Sequence, residues 1–298
     1  MPPTLPTVSG ALAAASRVLS EAGVREAALD AELLLRHVLG WDRAKLFANP
    51  DHRVPESDHD RFLALVRRRA AREPLQYIVG SQAFWKHEFL VTPAVLIPRP
   101  ETELLVETSL ELLRDVERPL VVDVGTGSGC IALSLAAERP DAIVHATDIS
   151  EPALAVAREN ARRLGLEGRV TFHRGDLLEP VRHLAGTIDL VVSNPPYVDA
   201  SEIDGLDSEV RDHDPRVALV PPSGDRYEIY RRLAVEGITL IRQGGWVTAE
   251  VGHGMAATAL SLFSALGWSE TATSHDLQRV ARILRARLQA QPAAAEST

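Results

Sequence analysis

In the first 80 residues the hydrophobic positions recur at helical spacing. One apolar face lies at residues 12–19 and another at residues 33–38. Turn residues interrupt the pattern near Gly23, at residues 40–42 and at residues 49–51. The spacing therefore predicts a bundle of four or five short helices joined by short loops. No catalytic motif falls within it, and we expect a small all-α domain that serves stability or docking.

The pattern changes between residues 74 and 103, where strand-forming residues alternate with prolines. They are Phe84, Trp85, Phe89, Val91, Pro93, Val95, Leu96, Ile97, Pro98 and Pro100. Aromatic and β-branched residues favour strands, whereas proline interrupts strand pairing. We therefore predict a β-hairpin and a linker, followed by a helix with Pro100 near its first turn.

From residue 119 onward, strand patterns alternate with helix patterns, which is typical of a mostly parallel sheet. The predicted strands are 120–124, 143–147, 170–173, 190–193 and 246–251, and the predicted helices are 130–138, 151–164, 227–242 and 255–266. Segments 271–275 and 280–286 are predicted to form an antiparallel hairpin at the sheet edge. The expected fold class is α/β. It has a helical N-terminal domain at residues 1–84, a hairpin linker at 85–103, a Rossmann-like domain at 104–288 and a flexible tail at 289–298.

Composition and charge narrow the function classes. The 298-residue chain carries a formal charge of −9. Residues 1–84 hold 11 basic and 10 acidic side chains, which leaves 21 and 31 for the remainder. An acidic α/β domain is a poor surface for nucleic acid phosphates. The single cysteine, Cys130, rules out an internal disulfide, and no apolar run is long enough for a membrane helix. We expect a cytoplasmic protein with no membrane partner.

A glycine-rich loop follows the first predicted strand of the sheet. Residues 123–130 read Asp-Val-Gly-Thr-Gly-Ser-Gly-Cys. A dinucleotide fingerprint would need glycine where Cys130 stands, and a Walker loop would need a Gly-Lys pair that is absent. A loop without a phosphate-binding lysine suits a nucleoside cofactor that carries an amino acid, namely S-adenosylmethionine. We expect Cys130 itself to be a buried packing residue.

Acidic residues follow the next two predicted strands. Asp148 could accept hydrogen bonds from ribose hydroxyls, although it could equally cap the following helix. Asp176 could accept a hydrogen bond from an adenine amino group, and Leu177 could pack on the ring.

The tetrapeptide Asn194-Pro195-Pro196-Tyr197 follows the fourth predicted strand. It could be only a stiff turn. After the glycine loop and Asp148, however, it favours methyl transfer to a planar amide or aromatic amino nitrogen. The Asn194 side-chain oxygen and the Pro195 carbonyl can accept hydrogen bonds from that nitrogen, and Tyr197 can stack on the flat group. Such a transfer depends on positioning and requires no strong base. The ten histidines show no metal-ligand spacing, so no metal is expected.

With these motifs, the chain resembles the bacterial peptide chain release factor N(5)-glutamine methyltransferases over nearly its whole length. The carrying segments are Glu-Pro-Leu-Gln-Tyr-Ile-Val-Gly at 73–80, Val-Leu-Ile-Pro-Arg-Pro-Glu-Thr-Glu at 95–103, Asp-Val-Gly-Thr-Gly-Ser-Gly at 123–129, Ser-Asn-Pro-Pro-Tyr at 193–197 and Glu-Val-Arg-Asp at 209–212. The 95–103 block is the most specific, because Asn-Pro-Pro-Tyr also occurs in adenine amino methyltransferases.

The resemblance implies that the substrate is the glutamine of the Gly-Gly-Gln motif of class 1 release factors. It also implies that the N-terminal domain helps to bind them. The expected cofactor-binding residues are Gly125, Thr126, Gly127, Ser128, Gly129, Asp148, Asp176, Leu177 and Asn194. Of these, Asp176 and Leu177 are included because of the sequence pattern after the third predicted strand. The substrate pocket is Asn194, Pro195, Pro196 and Tyr197, of which Asn194, Pro195 and Tyr197 are the expected catalytic residues. The expected enzyme is a monomer that forms no stable complex with nucleic acid.

Some features leave alternatives open. Arg99 and Glu101 could line the mouth of the pocket or brace the linker, and we favour bracing. Residues 221–224 and 251–254 depart from the family pattern, which affects the expected shape of those loops. The alternative functions are methylation of a ribosomal-protein glutamine, methylation of an adenine amino group in nucleic acid, and binding without catalysis. The acidic charge disfavours the nucleic acid substrate, and the retained Asn194 and glycines disfavour the loss of catalysis.

Overall fold

The computed structural model describes residues 5–276 and 278–289, so the predicted tail at 289–298 lies outside the described residues except for Gln289. The described residues form two compact units. The helical unit comprises residues 5–81 together with Asp207–His213, and the α/β unit comprises Gln82–Leu206 and the described residues from Asp214 onward.

The helices are α1 Val8–Glu21, α2 Ala27–Leu39, α3 Arg43–Ala48, α4 Glu56–Ala70, α5 Leu75–Val79, α6 Glu103–Leu112, α7 Cys130–Glu138, α8 Glu151–Arg163, α9 Ser208–His213, α10 Arg216–Leu219, α11 Glu228–Leu240 and α12 Ala256–Ala265. The strands are β1 Ser81–Phe84, β2 His87–Leu90, β3 Leu120–Val124, β4 Ile143–Asp148, β5 Val170–Arg174, β6 Ile188–Ser193, β7 Ile241–Glu250, β8 Trp268–His275 and β9 Ala281–Leu288. Short 3₁₀ helices lie at Pro100–Thr102, Glu179–Leu184 and Ala200–Gly205.

The helical unit packs α1, α2, α4 and α5 around buried Leu19, Leu34, Leu35 and Phe62. Polar side chains cap the N-termini of two helices in this unit. The Thr7 hydroxyl accepts the Gly10 N–H at the start of α1, and the Asp42 carboxylate accepts the Lys45 N–H at the start of α3. The all-α character predicted for this part of the chain is confirmed.

The α/β unit is built on a seven-stranded sheet in the order β5-β4-β3-β6-β7-β9-β8. The strands β3 to β7 are parallel, and β9 and β8 complete one edge as an antiparallel pair. Strand residues alternate between two apolar layers. Val121 packs on the side of α6, α7 and α8, whereas Val122 packs on the side of α11 and α12. The predicted Rossmann-like α/β fold and its edge hairpin are confirmed.

Two local differences have physical causes. Strand β7 begins at Ile241, five residues before its predicted start, because Ile241 pairs with Ile188 of β6. The register is irregular between this pair and the Leu190–Trp246 pair, where β7 contains Gly244 and Gly245, which carry no strand signal. The hairpin strands are β1 and β2, and Trp85 stands in the turn at φ 54°. Val95 and Ile97 are buried, yet the flanking prolines keep them out of a strand.

The composition of the two units also differs from the predicted division. The α/β unit begins at Gln82, inside the predicted N-terminal domain, and Asp207–His213 groups with the helices although the sequence placed it in the domain at 104–288. Ion pairs explain this grouping. Arg69 of α4 binds Glu209 at 2.8 Å, and Arg72 binds Glu209 at 2.8 Å and Asp207 at 3.3 Å.

Candidate active site

A cavity of about 150 Å³ opens at the carboxyl ends of the parallel strands. It lies where the chain order of the strands reverses, between β3 and β6, which is the usual ligand site of an open α/β sheet. The loops after β3, β4, β5 and β6 all contribute to its wall. From the predicted cofactor and substrate sets the wall includes Gly125, Thr126, Gly127, Ser128, Asp148, Asp176, Leu177, Asn194 and Pro196.

The glycine loop after β3 is held by backbone contacts. The N–H groups of Gly125 and Thr126 donate to the Thr147 carbonyl at 2.9 and 3.0 Å, and the Gly127 N–H donates to Asp148 Oδ2 at 2.9 Å. Gly127 has φ 55°, in the left-handed region that favours glycine. A Cβ built on Gly127 would meet no described protein atom within 4 Å. The loop therefore presents bare backbone to open space.

Gly129 is absent from the described cavity wall and has a packing role. A Cβ at this position would come within 3.0 Å of Leu133 Cδ1 and 3.2 Å of Ala157 Cβ. Glycine here lets α7 approach α8 closely. Its predicted contact with the cofactor stays a prediction.

Asp148 is the anchor of the loop. Its Oδ1 accepts the Ser150 N–H at 2.8 Å while its Oδ2 holds Gly127. The cap of α8 is Ser150, whose hydroxyl accepts the Ala153 N–H at 3.2 Å, so the alternative interpretation of Asp148 as the helix cap is wrong. Burial raises the pKa of Asp148, which lies against the cavity.

The loop after β5 brings Asp176 and Leu177 to the opposite wall. Arg232 of α11 donates to Asp176 Oδ2 at 2.7 Å. Leu177 has φ 45°, a conformation that costs a leucine about 1–2 kcal/mol, and its side chain packs against the apolar layer under α11. The backbone thus aims an apolar and an acidic group at one end of the cavity.

This set of residues fits an aminoacyl nucleoside such as S-adenosylmethionine. Gly125 and Gly127 leave space above the loop that a side chain would fill. Asp148 offers carboxylate oxygens for ribose hydroxyls, and the wall beyond it includes the apolar side chains of Ile149 and Leu177.

Asn194 follows β6 and reaches the cavity with its amide already engaged on one side. Its Nδ2 donates to Thr102 Oγ1 at 3.1 Å, and Thr102 Oγ1 donates to Glu250 Oε2 at 2.6 Å. The Tyr197 hydroxyl donates to Glu250 Oε1 at 3.3 Å, and the Tyr230 hydroxyl donates to the Glu250 carbonyl at 2.7 Å. Thr102 and Glu250 are buried residues that the sequence analysis did not single out.

The structure does not bring the whole tetrapeptide to the cavity. Pro196 lies on the wall, whereas Pro195 is buried and is absent from the described lining residues. The Tyr197 ring lies against Gly252, where a Cβ would come within 3.0 Å of Tyr197 Cδ2. Burial beside Glu250 raises the pKa of Tyr197, so the hydroxyl stays protonated and can donate a hydrogen bond to Glu250. Stacking of Tyr197 on the substrate stays a prediction.

Arg99 combines the two roles that the sequence left open. It lines the cavity, and its Nη2 binds Asp214 Oδ2 at 2.6 Å, where the Asp214 side chain is fully buried. Glu101 is exposed and is not among the described lining residues. Thr102 is three residues from Arg99, inside the 95–103 block. The specificity of that block was the one signal that could have pointed to Thr102.

Asp123, near the end of β3, is a further residue that the sequence analysis did not assign. Its Oδ2 accepts the Thr126 hydroxyl at 2.7 Å and the Ala132 N–H at 3.2 Å. Its Oδ1 is buried without a hydrogen-bond partner among the described residues. Burial raises the pKa of Asp123 to about 7. Nearby, burial raises the pKa of the Cys130 thiol to about 12, which suits the packing role expected of it.

Three of the histidines come together although their spacing gave no sign of it. His145 Nδ1 and His173 Nε2 are 2.8 Å apart, and the His183 ring centroid is 6.4 and 6.3 Å from theirs. Burial lowers the pKa of His145 and of His173. The described residues contain no group of three or more His, Cys, Asp or Glu placed to hold a metal ion. None of the helices in the described ranges is long and apolar enough to cross a membrane.

The parallel sheet, the glycine loop at its switch point and the Asn-Pro-Pro-Tyr edge together define a Rossmann-like methyltransferase. The solved delta-N METTL16 MTase domain shares the fold at a TM-score of 0.52 and 17% identity, covering 68% of this chain and 89% of that one. Family models match the PrmC N-terminal domain at residues 10–80 and the methyltransferase small domain at residues 100–207.

The sequence relatives define the family more narrowly. Release factor glutamine methyltransferase of Geobacter sulfurreducens is 41% identical over 270 residues, which cover 91% of this chain and 93% of the relative. The protein of the same name from Nitratidesulfovibrio vulgaris is 43% identical over 284 residues, which cover 94% of this chain and 95% of the relative. The chain belongs to the release factor glutamine methyltransferase family, and the resemblance expected from its motifs is confirmed.

Proposed function

We propose that this chain transfers a methyl group from S-adenosylmethionine to the side-chain amide nitrogen of the glutamine in the Gly-Gly-Gln motif of class 1 peptide chain release factors. The names of its relatives support the substrate. The observation that carries the chemistry is the engaged amide of Asn194, whose nitrogen is tied to Thr102 at the cavity wall.

The difficulty of the reaction lies in the nucleophile. The lone pair of a carboxamide nitrogen is delocalised into its carbonyl, so the nitrogen attacks poorly unless electron density is drawn back to it. Hydrogen-bond acceptors on its two N–H groups do this as the transition state forms. Asn194 Oδ1 supplies one acceptor and the Pro195 carbonyl supplies the other. Because Pro195 and Pro196 have no N–H, the backbone offers no competing donor.

The cofactor supplies an electrophilic methyl group on a sulfonium. In our proposal residues 125–128 form the surface on which it lies, and Asp148 accepts hydrogen bonds from its ribose hydroxyls. Arg232 holds one oxygen of Asp176, which leaves the other for the adenine amino group, and Leu177 packs on the ring. With both reactants held in line, the chain contributes mainly positioning.

The helical unit is the proposed docking module for the release factor. It contains no described part of the cavity wall, which suits a role in recognising the protein substrate. The charge of −9 supports a protein substrate over nucleic acid. We propose that the enzyme acts in the cytoplasm as a monomer, without a stable nucleic acid or membrane partner.

The direct test incubates the protein with methyl-labelled cofactor and, separately, a purified class 1 release factor, ribosomal proteins and DNA. Label is expected on the release factor glutamine. Label on DNA alone, or on a ribosomal protein alone, would contradict the proposed substrate.

The Asn194→Ala variant tests the site. It removes one acceptor of the transition state, so kcat should fall by about 100-fold or more. Gln278→Ala, which removes an exposed amide of the α/β unit away from the described cavity wall, is the matched control and should keep the wild-type rate. Thermal unfolding of both variants checks that the fold is intact. A wild-type rate for Asn194→Ala would mean that another group holds the substrate amide.

A further inference from the structure

Three side chains are joined by hydrogen bonds that lead from the end of β7 to the cavity wall. These bonds run from Glu250 at the end of β7, through Thr102 in the 3₁₀ turn before α6, to Asn194 after β6. We refer to Glu250, Thr102 and Asn194 as the amide relay. Thr102 and Glu250 are 2% and 4% exposed, so water does not compete for their hydrogen bonds.

The direction of the relay is set by how many protons each group has. A threonine hydroxyl has one proton, and Thr102 gives it to Glu250 at 2.6 Å. The Thr102 oxygen can therefore only accept from Asn194, and only the NH₂ end of the Asn194 amide can donate to it. The amide oxygen then faces away from Thr102, and Asn194 itself lines the cavity.

Glu250 fixes the direction of these hydrogen bonds because it acts only as an acceptor. Its two side-chain oxygens each receive a hydroxyl donor, Oε2 from Thr102 and Oε1 from Tyr197. That is the hydrogen-bonding pattern of an ionised carboxylate, which has acceptors only. Burial raises the pKa of Glu250 above its usual value, and the two hydroxyl donors offset part of that rise.

We propose that Thr102 and Glu250 are positioning residues that fix the Asn194 amide with its oxygen toward the substrate. This inference rests on the proposed function, because it is the NH₂ group of a substrate amide that needs this oxygen. A rotated Asn194 amide would present its own N–H to the N–H of the substrate, and the acceptor would be lost.

The Thr102→Val variant tests the relay, since valine matches threonine in shape and lacks the hydroxyl. We expect kcat on the release factor to fall about 10- to 100-fold, the effect of losing one well-placed hydrogen bond to a charged network. KM for the release factor and affinity for S-adenosylhomocysteine, measured by calorimetry, should change less than about threefold. Thr102→Ser should restore most of the lost rate.

The matched control is Thr108→Val, the same change at a buried threonine of α6 that is outside the described cavity wall. It should keep the wild-type rate. Equal losses in Thr102→Val and Thr108→Val, or no recovery in Thr102→Ser, would show a packing defect and overturn the relay.

The Glu250→Gln variant tests the direction of the hydrogen bonds in the amide relay. An amide in place of the carboxylate can donate to Thr102, which turns the hydroxyl proton toward Asn194 and favours the rotated amide. The expected loss of kcat is at least as large as in Thr102→Val. Wild-type rates in both variants would overturn the proposal.

The amide orientation can also be observed without any substrate. In selectively labelled protein, NMR should show a nuclear Overhauser effect between the Asn194 side-chain NH₂ and the Thr102 methyl group, and this effect should weaken in Glu250→Gln. If the wild type methylates no release factor yet shows this effect, the proposed function fails and the relay stands. Its absence in the wild type overturns the relay.

Discussion

The buried carboxyl of Asp123 shows how one residue can link the glycine loop to the stability of the fold. Asp123 Oδ2 binds Thr126 and the first turn of α7, whereas Oδ1 faces no described partner. A carboxyl with one unpartnered buried oxygen favours its neutral form. Its pKa of about 7 therefore has a consequence for how stability depends on pH.

We predict that Asp123→Asn removes a pH dependence from the free energy of unfolding. The native state keeps a proton that the unfolded chain releases, because the folded pKa is raised from 3.8 to about 7. The stabilisation is complete below the unfolded pKa and is lost as pH rises through 7, at up to about 1.4 kcal/mol per pH unit. Urea unfolding of both proteins between pH 5 and 8 measures it. The wild type should lose stability relative to the variant, and parallel profiles would contradict the prediction.

At the residue scale, the sequence predicted best the groups that lie in local motifs. Asn194, Gly125 and Gly127 stand next to strand ends, so the pattern alone was enough to predict that they lie at the same edge of the sheet, where they line the cavity. Thr102 and Glu250 are hydrogen-bonded although they are 148 residues apart in the sequence, and no local pattern predicts such a contact. The Tyr197 ring could not be placed either, because its packing against Gly252 depends on the loop after β7.

At the scale of elements, the glycine loop joins β3 to α7 and carries most of the predicted cofactor contacts. Strand and helix alternation predicted every parallel strand of the sheet, because buried parallel strands read as short apolar runs. The start of β7 was missed because Gly244 and Gly245 carry no strand signal, and the pairing of Ile241 with Ile188 that extends the strand is a contact with a distant part of the chain.

We predict that Gly127→Ala weakens cofactor-product binding while Gly165→Ala does not. Both glycines have positive φ, 55° and 68°, and both have open space around a built Cβ. Each substitution therefore costs a similar backbone strain of about 1–2 kcal/mol. Only Gly127 lies on the cavity wall. Calorimetry with S-adenosylhomocysteine should show affinity about tenfold or more lower in Gly127→Ala, and equal affinities in the two variants would show that the loop carries no ligand.

At the scale of the whole molecule, the chain enters the helical unit twice. Helix α9 belongs to it through Glu209, which binds Arg69 at 2.8 Å, and Arg69 also binds Asp30 at 2.6 Å. Periodicity predicted the helices of residues 8–79 but not this return. The return depends on charges that are far apart in sequence, whereas a hydrophobic pattern describes only neighbours.

We predict that Arg69→Met destabilises the helical unit by about 3–5 kcal/mol, because it leaves the buried Asp30 carboxylate without the guanidinium that binds it. Glu209 keeps its ion pair with Arg72. Arg67→Met, at an exposed position of the same helix, is the matched control and should change stability by about 0.5 kcal/mol or less. Hydrogen exchange followed by mass spectrometry should show lost protection in α2, α4 and α9. Loss confined to the β strands would contradict this assignment.

The return of the chain into the helical unit also sets the order in which a new chain can fold. When the first 81 residues have left the ribosome, all the early helices are present, but Arg69 still lacks Glu209. More than 120 further residues, including β1 to β6, must be synthesised before α9 arrives. The helical unit, although it comes first in the sequence, is thus completed only after most of the sheet has been translated, which makes it a late step of biosynthesis.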